Sequence, residues 1–133
     1  MQYGPIHSLP VYRKSLALYD LSKAVASYFS YNQDLFSLKK STSFRDHLSD
    51  SLLTDADLII KEITSAATST SYKSRMKSLT FINIMTRNIL SYCNGLERDG
   101  VEEKEYLNLL RSEIKSFRKS FKSWRKSFLN GES

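Results

Sequence analysis

The stretch IKSFRKSFKSWRKSF, Ile114 to Phe128, decides how this chain folds. Large apolar residues recur in it every three or four positions, which is the spacing of an α-helix that buries one face. The same spacing continues back to Leu107 and defines one apolar seam. The seam consists of Leu107, Leu110, Ile114, Phe117, Phe121, Trp124 and Phe128.

The aromatic residues of this seam have two possible uses, packing in a core or stacking on nucleic-acid bases. Stacking needs exposed rings, whereas this seam continues an ordinary aliphatic one. Burial of the seven side chains contributes roughly 10 to 20 kcal/mol before the chain entropy is subtracted. We therefore predict that Phe117, Phe121 and Trp124 are core residues first.

The composition is that of a small helical protein. A chain of 133 residues is long enough for one domain, residues 1–133, and too short for two. Hydrophobic residues make up 41%, and only two prolines and four glycines interrupt the chain, which favours long helices. No apolar run approaches the roughly 20 residues that span a bilayer, and the N-terminus lacks the pattern of a signal peptide. We expect a cytoplasmic protein without a membrane partner.

Residues that carry catalysis or bind metals are sparse. Cys93 is the sole cysteine, and neither His7 nor His47 lies in a metal-binding spacing. No phosphate-binding loop, nucleophile elbow or dinucleotide motif occurs. Asp55 and Asp57 make a poor catalytic pair, because residues two apart on a helix point in different directions. We expect no enzyme activity, no cofactor and no metal site.

Four segments show helical periodicity, at about residues 10–31, 43–67, 71–98 and 102–129. Pro10 suits the first turn of the first segment, Ser43 with Asp46 resembles a capping box, and Gly100 suits the end of the third. The link between the first two segments is polar apart from Leu35, Phe36 and Leu38, which we expect to cover one end of the core as a short turn. Short connections favour an antiparallel up-down-up-down four-helix bundle.

The first three segments carry apolar faces of the same kind. In the first, the predicted face is Val11, Leu18, Leu21, Val25 and Tyr28. In the second, it is Leu48, Leu52, Ala56, Ile59, Ile63 and Ala66. In the third, it is Leu79, Ile82, Thr86, Ile89, Cys93 and Leu96.

The positive charge is concentrated in the last segment. Between Arg111 and Lys126 seven cations stand against one acid, Glu113, and this net +6 equals the formal charge of the whole chain. A merely solvated face normally relieves such repulsion with glutamates, so we favour an anionic partner. The cations of the last segment that form one band are Lys115, Arg118, Lys119, Lys122, Arg125 and Lys126. The third segment adds Lys73, Arg75, Lys77 and Arg87.

Three anions could meet this surface: a nucleic acid, an acidic protein or an anionic membrane. Binding to a membrane surface would require the aromatic seam to leave the other three helices, so a membrane is the least favoured of the three partners. RNA or DNA held by backbone contacts fits best. A band of serines runs beside the cations, and its hydroxyls can bind phosphates or allow another helix to approach closely. This band consists of Ser116, Ser120, Ser123 and Ser127.

The third segment has apolar residues outside its core face, namely Phe81, Ile84, Met85 and Tyr92. We expect these four to point to the far side of the helix. A subunit interface would bury such a second face, so we predict a homo-oligomer. The alternative is that the link after the first helix folds over the same residues.

Several stretches of the chain resemble a known family. They are LPVYRKSLALYDL (residues 9–21), FRDHLSDSLLTDADLIIKEI (44–63), GLERDGVEEKEYLNLL (95–110) and KSFKSWRKS (119–127). Together they resemble the four-helix-bundle family that includes proteins encoded in ribosomal RNA intervening sequences. The Asn-Ile-Ala-Glu-Gly motif of that branch is degraded here between Leu58 and Ile63. Two other family features are present: Gly100 precedes a helix that opens with Glu-Tyr, and Trp124 lies near the end of that helix. The nearer resemblance is to accessory variability determinant (Avd) proteins of diversity-generating retroelements.

The resemblance implies a homopentameric barrel without a catalytic centre. Such a barrel would bind the retroelement's RNA, or DNA or an RNA–DNA hybrid, together with its reverse transcriptase, and would support mutagenic cDNA synthesis. The cations of the third and fourth segments named above are the candidate RNA or polymerase surface. The alternative is an intervening-sequence-type bundle, or a protein-interaction scaffold with an acidic protein partner and no nucleic-acid role.

Overall fold

The computed structural model describes residues 6–32 and 34–129, and all regular structure in these ranges is helical. A 3-10 turn, Ile6–Ser8, precedes the first helix. The α-helices are α1 (Pro10–Phe29), α2 (Leu35–Lys40), α3 (Phe44–Thr68), α4 (Tyr72–Arg98) and α5 (Lys104–Leu129).

The four long helices pack together in a closed square. Helix α1 contacts α3 and α5, and α4 contacts the same two helices. The end of α1 lies beside the start of α3, where the Tyr31 N–H meets Asp46. The end of α4 lies there as well, since Arg45 binds Asp99 at 2.8 Å. Neighbouring long helices therefore run in opposite directions, and the predicted all-helical packing of four long helices is confirmed.

The core is formed by the apolar faces of all four long helices. Five seam residues of α5 are buried, among them Phe117 at 0% and Phe121 at 4% exposure. Trp124 and Phe128 are half-buried and pack against this core. The predicted core residues of α3 and α4 are buried too, except Leu48, which is half-buried. On α1, Val11, Leu18 and Val25 are buried as predicted and Leu21 is half-buried. The prediction for Tyr28 is wrong by one position, because Phe29 enters the core while Tyr28 turns toward α5 and packs on Tyr106.

The end of α4 follows from one glycine. Gly100 has a φ of 96°, a left-handed conformation that glycine adopts without a steric penalty. Its N–H donates to the Glu97 carbonyl at 3.1 Å, and the Val101 N–H donates to the Leu96 carbonyl at 3.4 Å. Val101 is buried over this last turn. The connection is short, so α5 folds back directly along α4.

The link between α1 and α3 forms a helix of its own. Asp34 caps α2 by accepting a hydrogen bond from the Ser37 N–H. Leu38 is buried, but Leu35 and Phe36 are 53% and 66% exposed. The expected short turn is therefore a helix that packs on α3, and only Leu38 of the three covers the core.

Asp46 anchors the junction of α1 and α3. Ser43 caps α3 by accepting the Asp46 N–H, which is one half of the predicted capping box. The other half is redirected, because the buried Asp46 carboxylate accepts the Tyr31 N–H at 2.7 Å and the Asn32 Nδ2 at 2.6 Å. Burial raises the pKa of Asp46, but the hydrogen bonds from Asn32, Tyr31 and Ser41 outweigh it and hold the pKa below its ordinary value.

We expect Asp46→Ala to lower the free energy of unfolding by about 2 to 3 kcal/mol at pH 7, because the donors of Tyr31, Asn32 and Ser41 lose their charged acceptor. Since the folded carboxyl has the lower pKa, its contribution is present above the ordinary pKa of 3.8 and is lost as the pH falls through the folded value. Urea unfolding at pH 7 and pH 3 measures both effects, and the difference between wild type and variant should shrink at pH 3. Asp57→Ala is the control, expected to change stability by less than about 0.5 kcal/mol because Asp57 makes only a surface ion pair with Lys61. Equal losses in the two variants would contradict the assignment.

Candidate nucleic-acid interface

The basic band of α5 lies on the outside of the bundle. All six of its cations are exposed: Lys115, Arg118, Lys119, Lys122, Arg125 and Lys126. They line an open groove of about 650 Å³ that also includes Asn83 of α4 and Leu129 of α5. The seam on the opposite side of α5 is fixed in the core, so the helix cannot turn these cations inward without exposing Phe117.

The groove continues toward the other end of the bundle. A second opening of about 620 Å³ is lined by Leu90, Asn108, Arg111, Ser112, Ile114, Lys115 and Arg118. Because Lys115 and Arg118 line both openings, the two form one α4–α5 groove. From Asn108 to Leu129 it follows α5 for roughly 30 Å at the helical rise of 1.5 Å per residue.

The α4 wall of this groove is a feature that the sequence reasoning missed. Asn83 and Leu90 line the groove, and Asn94 accepts a hydrogen bond from Arg111 of α5 at 2.8 Å. The spacing 83, 87, 90, 94 is that of one helix flank, and it could have identified this wall. Arg87 is exposed and has the helical spacing of the same flank, but it does not line either opening.

The six cations of the basic band have no carboxylate partner among the residues that the structure describes. The ion pairs in these ranges are Lys39–Asp50, Arg45–Asp99, Lys61–Asp57 and Arg111–Glu97. Of these, only Arg111 belongs to the groove, where it ties α5 to the end of α4. The charge of the band is thus left for an external anion.

Three cations of α4 lie elsewhere. Lys73 and Lys77 are exposed on the outer flank of α4, and the Lys77 Nζ lies 5.9 Å from the centre of the Phe81 ring. Arg75 is half-buried, with its guanidinium 4.5 Å from the centre of the Phe128 ring and its Nη2 donating to the Ser69 carbonyl at 2.7 Å. None of the four predicted α4 cations therefore lines the α4–α5 groove, and Arg87 is the one on the flank nearest to it.

The serine band lies on the other flank of α5. Ser116, Ser120 and Ser127 are half-buried and Ser123 is exposed. At 100° per residue they face the same way as Leu109, toward α1, where Tyr106 packs on Tyr28. Ser127 donates to the Trp124 carbonyl at 2.6 Å. This position favours close approach of another helix over phosphate binding in the groove.

The second apolar face of α4 is smaller than predicted. Met85 is buried in the core, because it lies three residues after Ile82 and four before Ile89 on the same face. Tyr92 is half-buried toward α3 and donates to Asp55 at 2.9 Å; burial and this hydrogen bond raise the pKa of Tyr92 to about 12. The prediction that these two point away from the bundle is wrong.

Phe81 and Ile84 remain on the outer flank of α4, 43% and 44% exposed. The link does not cover them, since α2 lies against α3 and α1. Their use as a subunit interface stays a prediction.

The thiol and the two carboxylates that the sequence singled out are buried or already paired. Burial raises the pKa of the Cys93 thiol to about 11, so it is protonated at neutral pH. Asp55 accepts from Tyr92, and Asp57 binds Lys61 at 2.8 Å. Within residues 6–32 and 34–129, no group of three His, Cys, Asp or Glu side chains is placed to hold a metal ion.

No protein-family model, curated protein or solved structure matches this chain. None of the described helices is long and apolar enough to cross a bilayer.

Proposed function

We propose that this protein is a non-catalytic accessory protein that binds a nucleic acid, RNA in the first place, by its phosphate backbone along the α4–α5 groove. One observation carries the proposal: six exposed cations follow one helix without a carboxylate partner in the described ranges. Cations placed in this way attract polyanions because binding releases the counterions of the phosphates.

The lining of the groove supports backbone contact over base stacking. Among the described residues, Phe121 is the only aromatic one in either opening, and it is 4% exposed. The polar side chains of the lining are cations, amides and a hydroxyl, which are the usual partners of phosphate oxygens, and its other side chains are the aliphatic Leu90, Ile114 and Leu129. Stacking platforms for single strands need exposed rings, and the described lining of this groove offers none.

The resemblance to Avd proteins specifies the role further. On that basis the RNA is the template of a diversity-generating retroelement, the protein partner is its reverse transcriptase, and the assembly is an antiparallel four-helix bundle repeated in a homopentameric barrel. The protein would hold RNA and polymerase together during mutagenic cDNA synthesis. Phe81 and Ile84 support the homo-oligomer, because a monomer would leave them in water.

Salt dependence tests the electrostatic basis of the proposal. With about six phosphates neutralised, the affinity for a labelled RNA should fall by roughly two to three decades between 50 and 200 mM salt. Fluorescence anisotropy at a series of salt concentrations gives the slope. Binding that does not change with salt would remove the hypothesis.

Competition separates RNA from an acidic protein partner. If the groove binds phosphates without reading sequence, an unrelated RNA of equal length should displace the labelled RNA at a similar concentration, whereas an acidic peptide of equal charge should displace it poorly. The opposite order would favour the protein-interaction scaffold.

A further inference from the structure

Two exposed apolar patches lie on different flanks of the bundle. The α4 patch consists of Phe81 and Ile84, with Lys77 over the Phe81 ring and Lys73 one helical turn before Lys77. The α1–α5 patch consists of Tyr28, Tyr106 and Leu109, which are 53%, 39% and 55% exposed. Each patch exposes rings or aliphatic side chains that water solvates poorly. Covering either patch with another protein surface therefore lowers the free energy.

The two patches face away from each other. Phe81 lies on the flank of α4 that turns toward α3, since at 100° per residue it is about 20° from Tyr92, which bonds Asp55 of α3; Ile84 points outward beside it. Leu109 lies on the flank of α5 that turns toward α1, where the Tyr28 and Tyr106 rings are 4.8 Å apart. In the closed square of helices, the α3–α4 and α1–α5 sides are opposite. One chain cannot bring its own patches together, but two copies can.

The patches carry opposite charges. In the described ranges Lys73 and Lys77 form no ion pair with a carboxylate, and Glu103 and Glu105 form none with a cation. Glu103 accepts a hydrogen bond from the Tyr28 hydroxyl at 3.3 Å. Pairing a patch with its own kind would set cation against cation or acid against acid. Pairing the two different patches joins apolar centres and matches the charges around them.

We infer that the α4 patch of one copy docks on the α1–α5 patch of the next, so that this protein assembles head to tail. The inference rests on the homo-oligomer of the proposed function and names the two surfaces that make it. Such a contact repeats and closes into a ring when the rotation between copies allows it. The small side chain of Ser116, on the same flank of α5 as Leu109, leaves room for α4 of the neighbour.

This arrangement leaves the α4–α5 groove free. The groove lies between the two patches, so each copy keeps its basic band open while both of its flanks are covered. In a ring, the grooves of all copies repeat around the assembly. A long RNA can then contact several grooves at once, which raises the affinity above that of a single copy.

Two variants that block one patch each give a direct test. Ile84→Asp and Leu109→Asp place a charge at the centre of the α4 patch and of the α1–α5 patch. In light scattering after size exclusion at about 50 µM, wild type should be an oligomer and each variant a monomer. An equimolar mixture should form a heterodimer and nothing larger, because each partner offers one intact patch. Leu16→Asp, at a leucine that is 39% exposed outside both patches, is the matched control and should assemble like wild type.

Each of the other outcomes contradicts one part of the inference: a patch, the head-to-tail pairing or the oligomer itself. If Leu109→Asp assembles like wild type, the α1–α5 patch is not an interface. If both variants are monomers and their mixture is too, the contact is not head to tail. A monomeric wild type removes the oligomer itself. RNA binding by wild type is measured separately, so an assembled wild type that does not bind RNA would reject the proposed function and leave this inference standing.

A charge swap repeats the test on side chains whose replacement does not threaten folding. Lys77→Glu and Glu105→Lys should each weaken assembly by at least tenfold in concentration. Mixing the two should restore it, because each altered charge then faces an opposite one. Failure of the mixture to recover would contradict the pairing of the two patches.

Discussion

Replacing Phe117 by alanine should lower the free energy of unfolding by about 3 to 5 kcal/mol. The side chain is 0% exposed and its ring is stacked 6.0 Å from that of Phe121, in the seam where α5 meets the other helices. Alanine removes most of the buried apolar surface and leaves a cavity that the rigid helices fill only in part. Urea unfolding followed by circular dichroism, at one protein concentration for all variants, measures the decrease.

Phe81→Ala is the matched control. It removes the same atoms from a ring that is 43% exposed on α4. When the protein is a monomer, we therefore expect the free energy of unfolding to change by less than about 1 kcal/mol. Under conditions where it remains folded, Phe117→Ala should bind RNA like wild type, because the ring does not line the α4–α5 groove. A variant that keeps its stability and fails to bind RNA would instead make Phe117 a base-stacking residue, and the assignment of the seam to the core would be wrong.

Periodicity predicted the helices and most of the core because burial acts on every turn of a helix. The seam from Leu107 to Phe121 is buried as predicted, since an aliphatic or aromatic stripe of this length has no other stable place. Errors arose at the edges of the stripes. Tyr28 and Phe29 are adjacent and both aromatic, and Met85 lies one position from Ile84. A rotation of 100° per residue decides which of two neighbours enters the core, and only the packing of the other helices fixes that rotation.

Contacts between elements could not be predicted from one helix at a time. The sequence indicated a capping box at Ser43 and Asp46, yet the Asp46 carboxylate turns to the end of α1, because Tyr31 and Asn32 come to lie there only after the helices pack. The basic band was visible in the sequence of α5 alone. Its groove was not, since the spacing of Asn83 and Leu90 marks one flank of α4, and only the packing of α4 beside α5 makes that flank a wall of the groove.

Neutralising the basic band should have the largest effect on RNA binding. We expect the replacement of all six cations by glutamine to weaken the affinity at 100 mM salt by about three decades, roughly half a decade for each phosphate that is no longer neutralised. The salt dependence should nearly vanish in the same variant. Stability should not fall, because the six cations repel one another and make no ion pair among the described residues.

Two triple variants decide whether the position of the charge matters. Changing Arg118, Lys119 and Lys122 to glutamine removes three charges from the α4–α5 groove, and changing Arg13, Lys23 and Lys40 removes three from exposed positions outside it. Both lower the formal net charge from +6 to +3. The affinity of the groove variant should fall by more than about tenfold and that of the control by less than about threefold, because short-range interactions survive screening by salt better than the general field of the protein. Equal decreases would mean that net charge alone attracts the RNA, and the groove would then no longer be its binding surface.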